Sequence, residues 1–254
     1  MCLILFSYRS HPDFRLLIAA NRDEFYRRPT APADFWTDHP DLLAGRDLIG
    51  GGTWLGVTRS GRVAALTNYR DPTAVKPDAP SRGHLVSGFL TGDLPARPYL
   101  EKVAGTAHRY NGFNLLAADA EGLFYFGSRD GGIRDLPTGL YGMSNHLLDT
   151  PWPKVAEGKK ALAAQLTGTA PFDPEAVLAV LADRSRPPDR RLPDTGVGLA
   201  WERVLSPRFI TSETYGTRSS TVLAVEKAGR AFFLERTFDE GKPGKTRSFS
   251  FRMD

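Results

Sequence analysis

The order in which strand-like and helix-like runs follow one another constrains this 254-residue chain most. Paired apolar runs joined by short polar turns occupy both ends, with helical patterns between them. Residues 2–8 and 15–20 read as two strands around a turn holding His11, Pro12 and Asp13. Residues 53–58 and 62–68 pair about Ser60-Gly61, and 114–118 and 123–127 about Glu121-Gly122. Helices are expected at 84–90, 98–109, 153–166 and 174–183, the last capped by Asp173 with Pro174 in its first turn. Strands follow at 220–226, 230–236 and 246–252. Strands adjacent in sequence favour antiparallel sheets, so the chain reads as α+β. Two sheets packed face to face with helices outside is one arrangement that uses all of these elements. No repeat or shift in composition divides the chain. Residues 1–254 are read as one domain, with the Pro-, Arg- and Asp-rich stretch 185–195 as a surface loop or lid.

Charge and composition narrow the partners. The 33 basic and 29 acidic residues leave a net charge of +4, and the basic residues cluster only as doublets such as Arg27-Arg28 and Arg190-Arg191. A nucleic-acid binder would gather them into a stripe, so no nucleic-acid partner is expected. The first apolar run is broken by Arg9, His11 and Asp13, which fits neither a secretory signal nor a membrane span. A single cysteine forms no internal disulfide, and a reducing, cytoplasmic setting is the expectation. No cluster has metal-ligand spacing, so no metal is expected. Gly50-Gly51-Gly52-Thr53 lacks the lysine of a phosphate loop and enters a strand, so it reads as a tight turn.

That one cysteine, Cys2, follows Met1 and leads the first strand. If Met1 is removed, one residue carries both a thiol and its own base, the α-amine. A free thiol has a pKa of about 8.5 and an α-amine about 7.7–8.0, so proton transfer between them is close to thermoneutral. This is N-terminal-nucleophile chemistry, in which one residue replaces a separate nucleophile and base. The alternative is a small hydrophobe packed in a strand.

Polar residues gather where strands are expected to end. Leu16-Leu17-Ile18-Ala19-Ala20 meets Asn21-Arg22-Asp23-Glu24 abruptly. This strand should pair with that of Cys2, which lets Asp23 or Asn21 orient the amine or thiol. Ala64-Ala65-Leu66 runs into Thr67-Asn68, and Tyr141-Gly142-Met143 into Ser144-Asn145, placing amide donors suited to an oxyanion. Asparagine at a strand end is also a common turn residue. Arg218 precedes a hydrophobic strand, where it can bind a carboxylate, depress the thiol pKa or brace Asp23. Among five histidines only His146, beside Asn145, has a site-based reason for attention.

Together these residues resemble the NRDE, or transport-and-Golgi-organisation, family, named for the tetrapeptide at 21–24. The resemblance includes Met1-Cys2, Ala19 to Phe25, Phe35-Trp36, Gly51 to Gly56, Ala64 to Tyr69, Gly112 to Leu115, Tyr141 to Asn145, Pro151-Trp152 and Tyr215 to Arg218. The family is similar in turn to choloylglycine hydrolases and penicillin V acylases. That similarity implies a four-layer αββα sandwich of the N-terminal-nucleophile hydrolase type, two mostly antiparallel sheets with helices outside. It implies Cys2 as nucleophile and Asp23 as the holder of its amine. Asn68 or Thr67 falls at the first oxyanion-side position, Asn145 at the later one, and Arg218 at the arginine near the final strands. One departure is Ala20, where those enzymes carry an arginine, and Arg22 is the substitute at hand. The implied activity is hydrolysis of a carboxamide or related acyl bond of a small, partly hydrophobic substrate through a thioester, with no cofactor required. The family's association with haem trafficking and lipid homeostasis implies an alternative, a non-catalytic carrier of haem or lipid on the same scaffold.

Overall fold

The computed structural model describes residues 2–167 and 171–254. Removal of Met1 concerns a residue outside that range.

Two antiparallel sheets form the centre. The strands of the first, in chain order, are β1 (Cys2–Tyr8), β2 (Phe14–Phe25), β10 (Gly139–Met143), β11 (Tyr215–Glu226), β12 (Arg230–Asp239) and β13 (Lys242–Arg252). They lie side by side as β10-β1-β2-β11-β12-β13. The second sheet holds β3 (Thr30–Phe35), β4 (Leu42–Asp47), β5 (Leu55–Thr58), β6 (Val63–Asn68), β7 (Phe113–Ala118), β8 (Leu123–Gly127) and β9 (Ile133–Asp135) in sequential order.

Side-chain alternation sorts the core into layers. Along β1, Ile4, Phe6 and Tyr8 meet Leu55, Val57, Ala65 and Tyr125 of the other sheet, while Leu3 and Leu5 turn outward under α3 (Pro153–Leu166) and α4 (Pro174–Leu181). Both faces of β1 are therefore buried, which is why its sequence is continuously apolar from Cys2 to Phe6. Each such side chain contributes about 1.5–3 kcal/mol when withdrawn from water. On the far side, α1 (Gly83–Leu90) and α2 (Ala96–Thr106) bury Val86, Phe89 and Leu100 against Ala64, Leu66 and Leu115. The result is the four-layer αββα sandwich expected for an N-terminal-nucleophile hydrolase.

The expected strand end at Asn21–Glu24 requires correction. β2 runs straight through this tetrapeptide to Phe25, held by β1 on one side and β11 on the other. The polar residues do not end the strand because neighbouring elements take up Asn21 and Asp23 through hydrogen bonds. Residues 185–195 contain a short 3₁₀ turn at Asp189–Arg191 in otherwise irregular chain. Arg203 pairs with Asp189 there, and Thr195 is tied to Glu202 of a fifth helix, α5 (Leu199–Leu205). One close approach needs glycine: a Cβ on Gly52 would stand 2.5 Å from the Gly83 carbonyl carbon. This contact brings the turn before β5 against the start of α1, at the edge of the cleft described next.

Candidate active site

β1 and β2 place Cys2 opposite Arg22 in antiparallel register. Directly opposed residues project to the same side of a sheet, here toward the space between the two sheets. At this end the sheets part into a cleft of about 540 Å³, lined among others by Cys2, Arg22, Asp23, Asn68, Arg82 and Glu235. Cys2 is 8% exposed at the cleft. Burial pushes its thiol pKa up, while the Arg22 guanidinium and the Asp23 backbone amide act in the opposite direction.

Asp23 lies one residue further along β2. Its carboxylate accepts a 2.7 Å hydrogen bond from Thr217 Oγ1, and its carbonyl accepts one from Tyr215 Oη at 2.9 Å. Burial raises its pKa, and the charge of Lys154 counters that rise. Lys154 sits in the first turn of α3, 5% exposed, and donates to the Leu205 carbonyl at 3.0 Å. Desolvation brings its pKa down to about 8. A cation in the first turn of a helix works against the helix dipole, so its place is explained by Asp23 rather than by α3. A second buried pair lies close by: Arg70 Nη1 meets Glu202 Oε2 at 2.7 Å, with side chains only 5% and 3% exposed.

Asn68, at the end of β6, lines the cleft. Asn145 stands behind it, fully buried, donating from Nδ2 to the Asn68 carbonyl at 3.0 Å and accepting the Arg70 amide on its own carbonyl. Asn145 therefore holds Asn68 with one of its two amide hydrogens. Thr67 faces the other way, accepting from Asn114 Nδ2 at 3.0 Å. Asn21 is spent on structure: Nδ2 donates to the carbonyls of Leu181 and Arg208, and Oδ1 accepts from Ser220. Both ring nitrogens of His146 are engaged, with Tyr69 Oη at 2.9 Å and Thr150 Oγ1 at 2.8 Å.

Arg218 is not brought into the cleft. The pairing of β2 with β11 slips between Thr217 and Ser219, leaving Arg218 as the extra residue of a bulge. Bulges re-aim side chains, and this one turns the guanidinium toward the chain after β2, where Nη1 donates to the carbonyls of Phe25, Tyr26 and Arg28. Arg218 thus braces the segment that follows Asp23.

The profile of the family described as "Transport and Golgi organisation 2" matches residues 1–240. The chain belongs to that family. A homolog from Mus musculus is 38% identical over 259 residues, covering 93% of both chains. The Homo sapiens homolog is 37% identical over 277 residues, covering 100% of this chain and 99% of its own. Among solved structures, the Caenorhabditis elegans N-acylethanolamine-hydrolyzing acid amidase ortholog matches with a TM-score of 0.52 at 11% identity, over 87% of this chain and 92% of that one. The likeness is one of fold. Among the described residues of this family member, no helix is long and apolar enough to cross a membrane.

Four residues of the site neighbourhood escaped sequence reasoning. Lys154 follows Trp152-Pro153 and looks like an ordinary first-turn lysine. Arg70 and Glu202 lie 132 residues apart, and nothing local marks them as partners. Glu235 alone left a trace: it continues the inward-facing series of Phe233 on β12, where an apolar residue belongs. It is 4% exposed, and its carboxylate accepts the Ala33 amide at 2.6 Å.

Proposed function

We propose that this family member is a cysteine amidohydrolase that cleaves a carboxamide or related acyl bond with Cys2 as its nucleophile. One observation carries the reading: the cysteine that leads β1 opens onto the cleft between the sheets, with Arg22 across the strand pair and Asp23 beside it. After removal of Met1, the α-amine of Cys2 takes the thiol proton. The thiolate attacks the acyl carbon, and the Asn68 amide is the donor best placed to receive the oxyanion. The amine passes the proton to the leaving nitrogen as the C–N bond breaks, giving a thioester. Water then adds to the thioester, its proton returns to sulfur, and the acid leaves. Asp23, opposed by Lys154, holds the ammonium form of the amine. Asn145 and Arg218 act through others, the first on Asn68 and the second on the segment after β2.

Haem as a carried ligand fits this cleft poorly. No histidine is among the described residues lining it, and both ring nitrogens of His146 are engaged, which leaves the Cys2 thiol as the cleft's one soft iron ligand among the described residues. The cleft's polar lining favours a substrate fixed by hydrogen bonds and charge. Hydrolysis of a panel of N-acyl amides by wild type and Cys2→Ala tests the proposal. The expected result is turnover by wild type only, with substrate binding kept by the variant. Equal hydrolysis by both proteins, or hydrolysis by neither, would overturn it.

A further inference from the structure

The charges around Cys2 are not evenly matched. Asp47 takes Arg28 Nε at 2.6 Å and the amides of Ile49 and Gly50. Glu24 takes the Phe25 amide and lies 3.9 Å from Arg28. Glu235 takes the Ala33 amide and a hydrogen bond from Ser219. Asp23 takes Thr217 and faces Lys154. The carboxylates of the cleft are thus each answered by named donors.

Two of its cations are answered less fully. Arg22 is buried, its side chain 8% exposed, and among the described residues its one ion pair runs from Nη2 to Asp47 at 3.6 Å. Its Nη1 is closed off from water with no hydrogen-bond partner among the described residues. An unsatisfied buried donor of this kind costs about 1–3 kcal/mol, and more when charged. Arg82, at the start of α1 and also lining the cleft, donates from Nη1 to the Gly112 carbonyl at 2.8 Å and makes no ion pair among the described residues. Both guanidinium charges are felt at Cys2 or feel it in turn, and each also has a cleft carboxylate within electrostatic reach, Glu235 for Arg22 and Glu24 for Arg82, without an ion pair to it among the described residues.

We propose that Arg22 and Arg82 form an anion subsite beside Cys2, so that the substrate carries a small oxyanion group, a carboxylate or phosphate, next to the bond under attack. The Arg22 guanidinium, fixed by its place opposite Cys2, lends its charge to such a group, and the partly exposed Arg82, which lines the cleft and commits only Nη1, supplies the donors that it accepts. The substrate class rests on the amidohydrolase reading, but the subsite itself does not, because its occupancy can be read from simple alkylation.

Cys2 is the sole cysteine, so its labelling is read unambiguously by intact mass. Iodoacetate and iodoacetamide react alike: the thiolate sulfur bonds the methylene carbon and iodide leaves. They differ in that one carries a carboxylate. The ratio of iodoacetate to iodoacetamide rates at Cys2 is expected to exceed that of glutathione in the same buffer by about tenfold, the effect of one charge-assisted contact. Arg22→Gln should return the ratio to the glutathione value. Arg82→Gln, on a partly exposed side chain that can be changed without disturbing the core, should lower it several-fold. Acetate and inorganic phosphate should each protect wild-type Cys2 from iodoacetate, and whichever does so at the lower concentration identifies the preferred anion. A glutathione-like ratio in wild type, no protection by either anion, or a thiol that neither reagent reaches would each overturn the proposal. Absence of amide hydrolysis alongside a raised ratio would refute the amidohydrolase reading and leave the subsite standing.

Discussion

Glu202→Gln keeps the shape of the side chain and removes its charge, leaving Arg70 as a buried cation. In the native protein Glu202 Oε2 meets Arg70 at 2.7 Å, while Oε1 accepts both the amide and the hydroxyl of Thr195. Breaking one side of a pair this deeply buried costs about 3–5 kcal/mol, because the surviving buried charge loses the carboxylate opposite it. Lys154 adds to that cost, since it also feels both members of the pair. A chain of this length loses about 2 °C of melting temperature per kcal/mol, so the variant should melt roughly 6–10 °C below wild type. Urea unfolding at pH 7 gives the same quantity as a free energy. The double variant Arg70→Met with Glu202→Leu removes both charges and fills the space with apolar groups. It should recover most of the loss, and the double-mutant cycle should return a coupling of more than about 1 kcal/mol. A Glu202→Gln variant within about 1 kcal/mol of wild type would place the pair in the class of surface ion pairs and refute the reasoning.

Lys154→Met should slow alkylation of Cys2 at pH 7 and move its pH–rate profile upward, because the lost cation favours the thiolate; an unchanged profile would separate Lys154 from the site. The folded pKa of Lys154, about 8, lies below its ordinary 10.5, so the unfolded chain binds more protons between those values. Wild type should therefore gain stability relative to Lys154→Met as pH rises from 8 to 10, as followed by urea midpoints. Thr217→Val removes a donor to Asp23 and the acceptor of the Ile210 amide, and should cost about 1–3 kcal/mol in denaturant unfolding. Asn145→Leu should lower the acylation rate of Cys2 with little change in the pH profile, since Asn145 acts by holding Asn68, and single-turnover kinetics would report it.

The parts of this protein that are legible in its sequence are those whose surroundings repeat. β1, β6, β7 and β8 are buried on both faces, so their apolar runs announced them. Of the edge elements, β13 was expected at 246–252, but others were harder to read. β3 carries Pro32, which an edge strand tolerates but which breaks the strand pattern in the sequence. β10 is another edge, with glycines at both Gly139 and Gly142 and little alternation, and only its end at 141–143 was read. The tetrapeptide at 21–24 looked like a turn because its polarity was visible and its partners were not. Those partners, Leu181, Arg208, Thr217 and Ser220, lie 160 residues or more away. A separation of 132 residues likewise hid the ion pair of Arg70 with Glu202. Arg218 was expected near Cys2, and the bulge that turns it away depends on one extra residue in a pairing, which no local pattern records.

The central claim is that Cys2 is an N-terminal nucleophile, and intact mass tests it most directly. Protein isolated from its native host, then mixed briefly with an activated acyl amide and quenched in acid, should have lost Met1 and gained one acyl group. Peptide mapping should place that group on Cys2 as a hydroxylamine-sensitive thioester, and Cys2→Ala should gain none. A native chain that keeps its methionine, or acylation that persists in Cys2→Ala, would contradict the account.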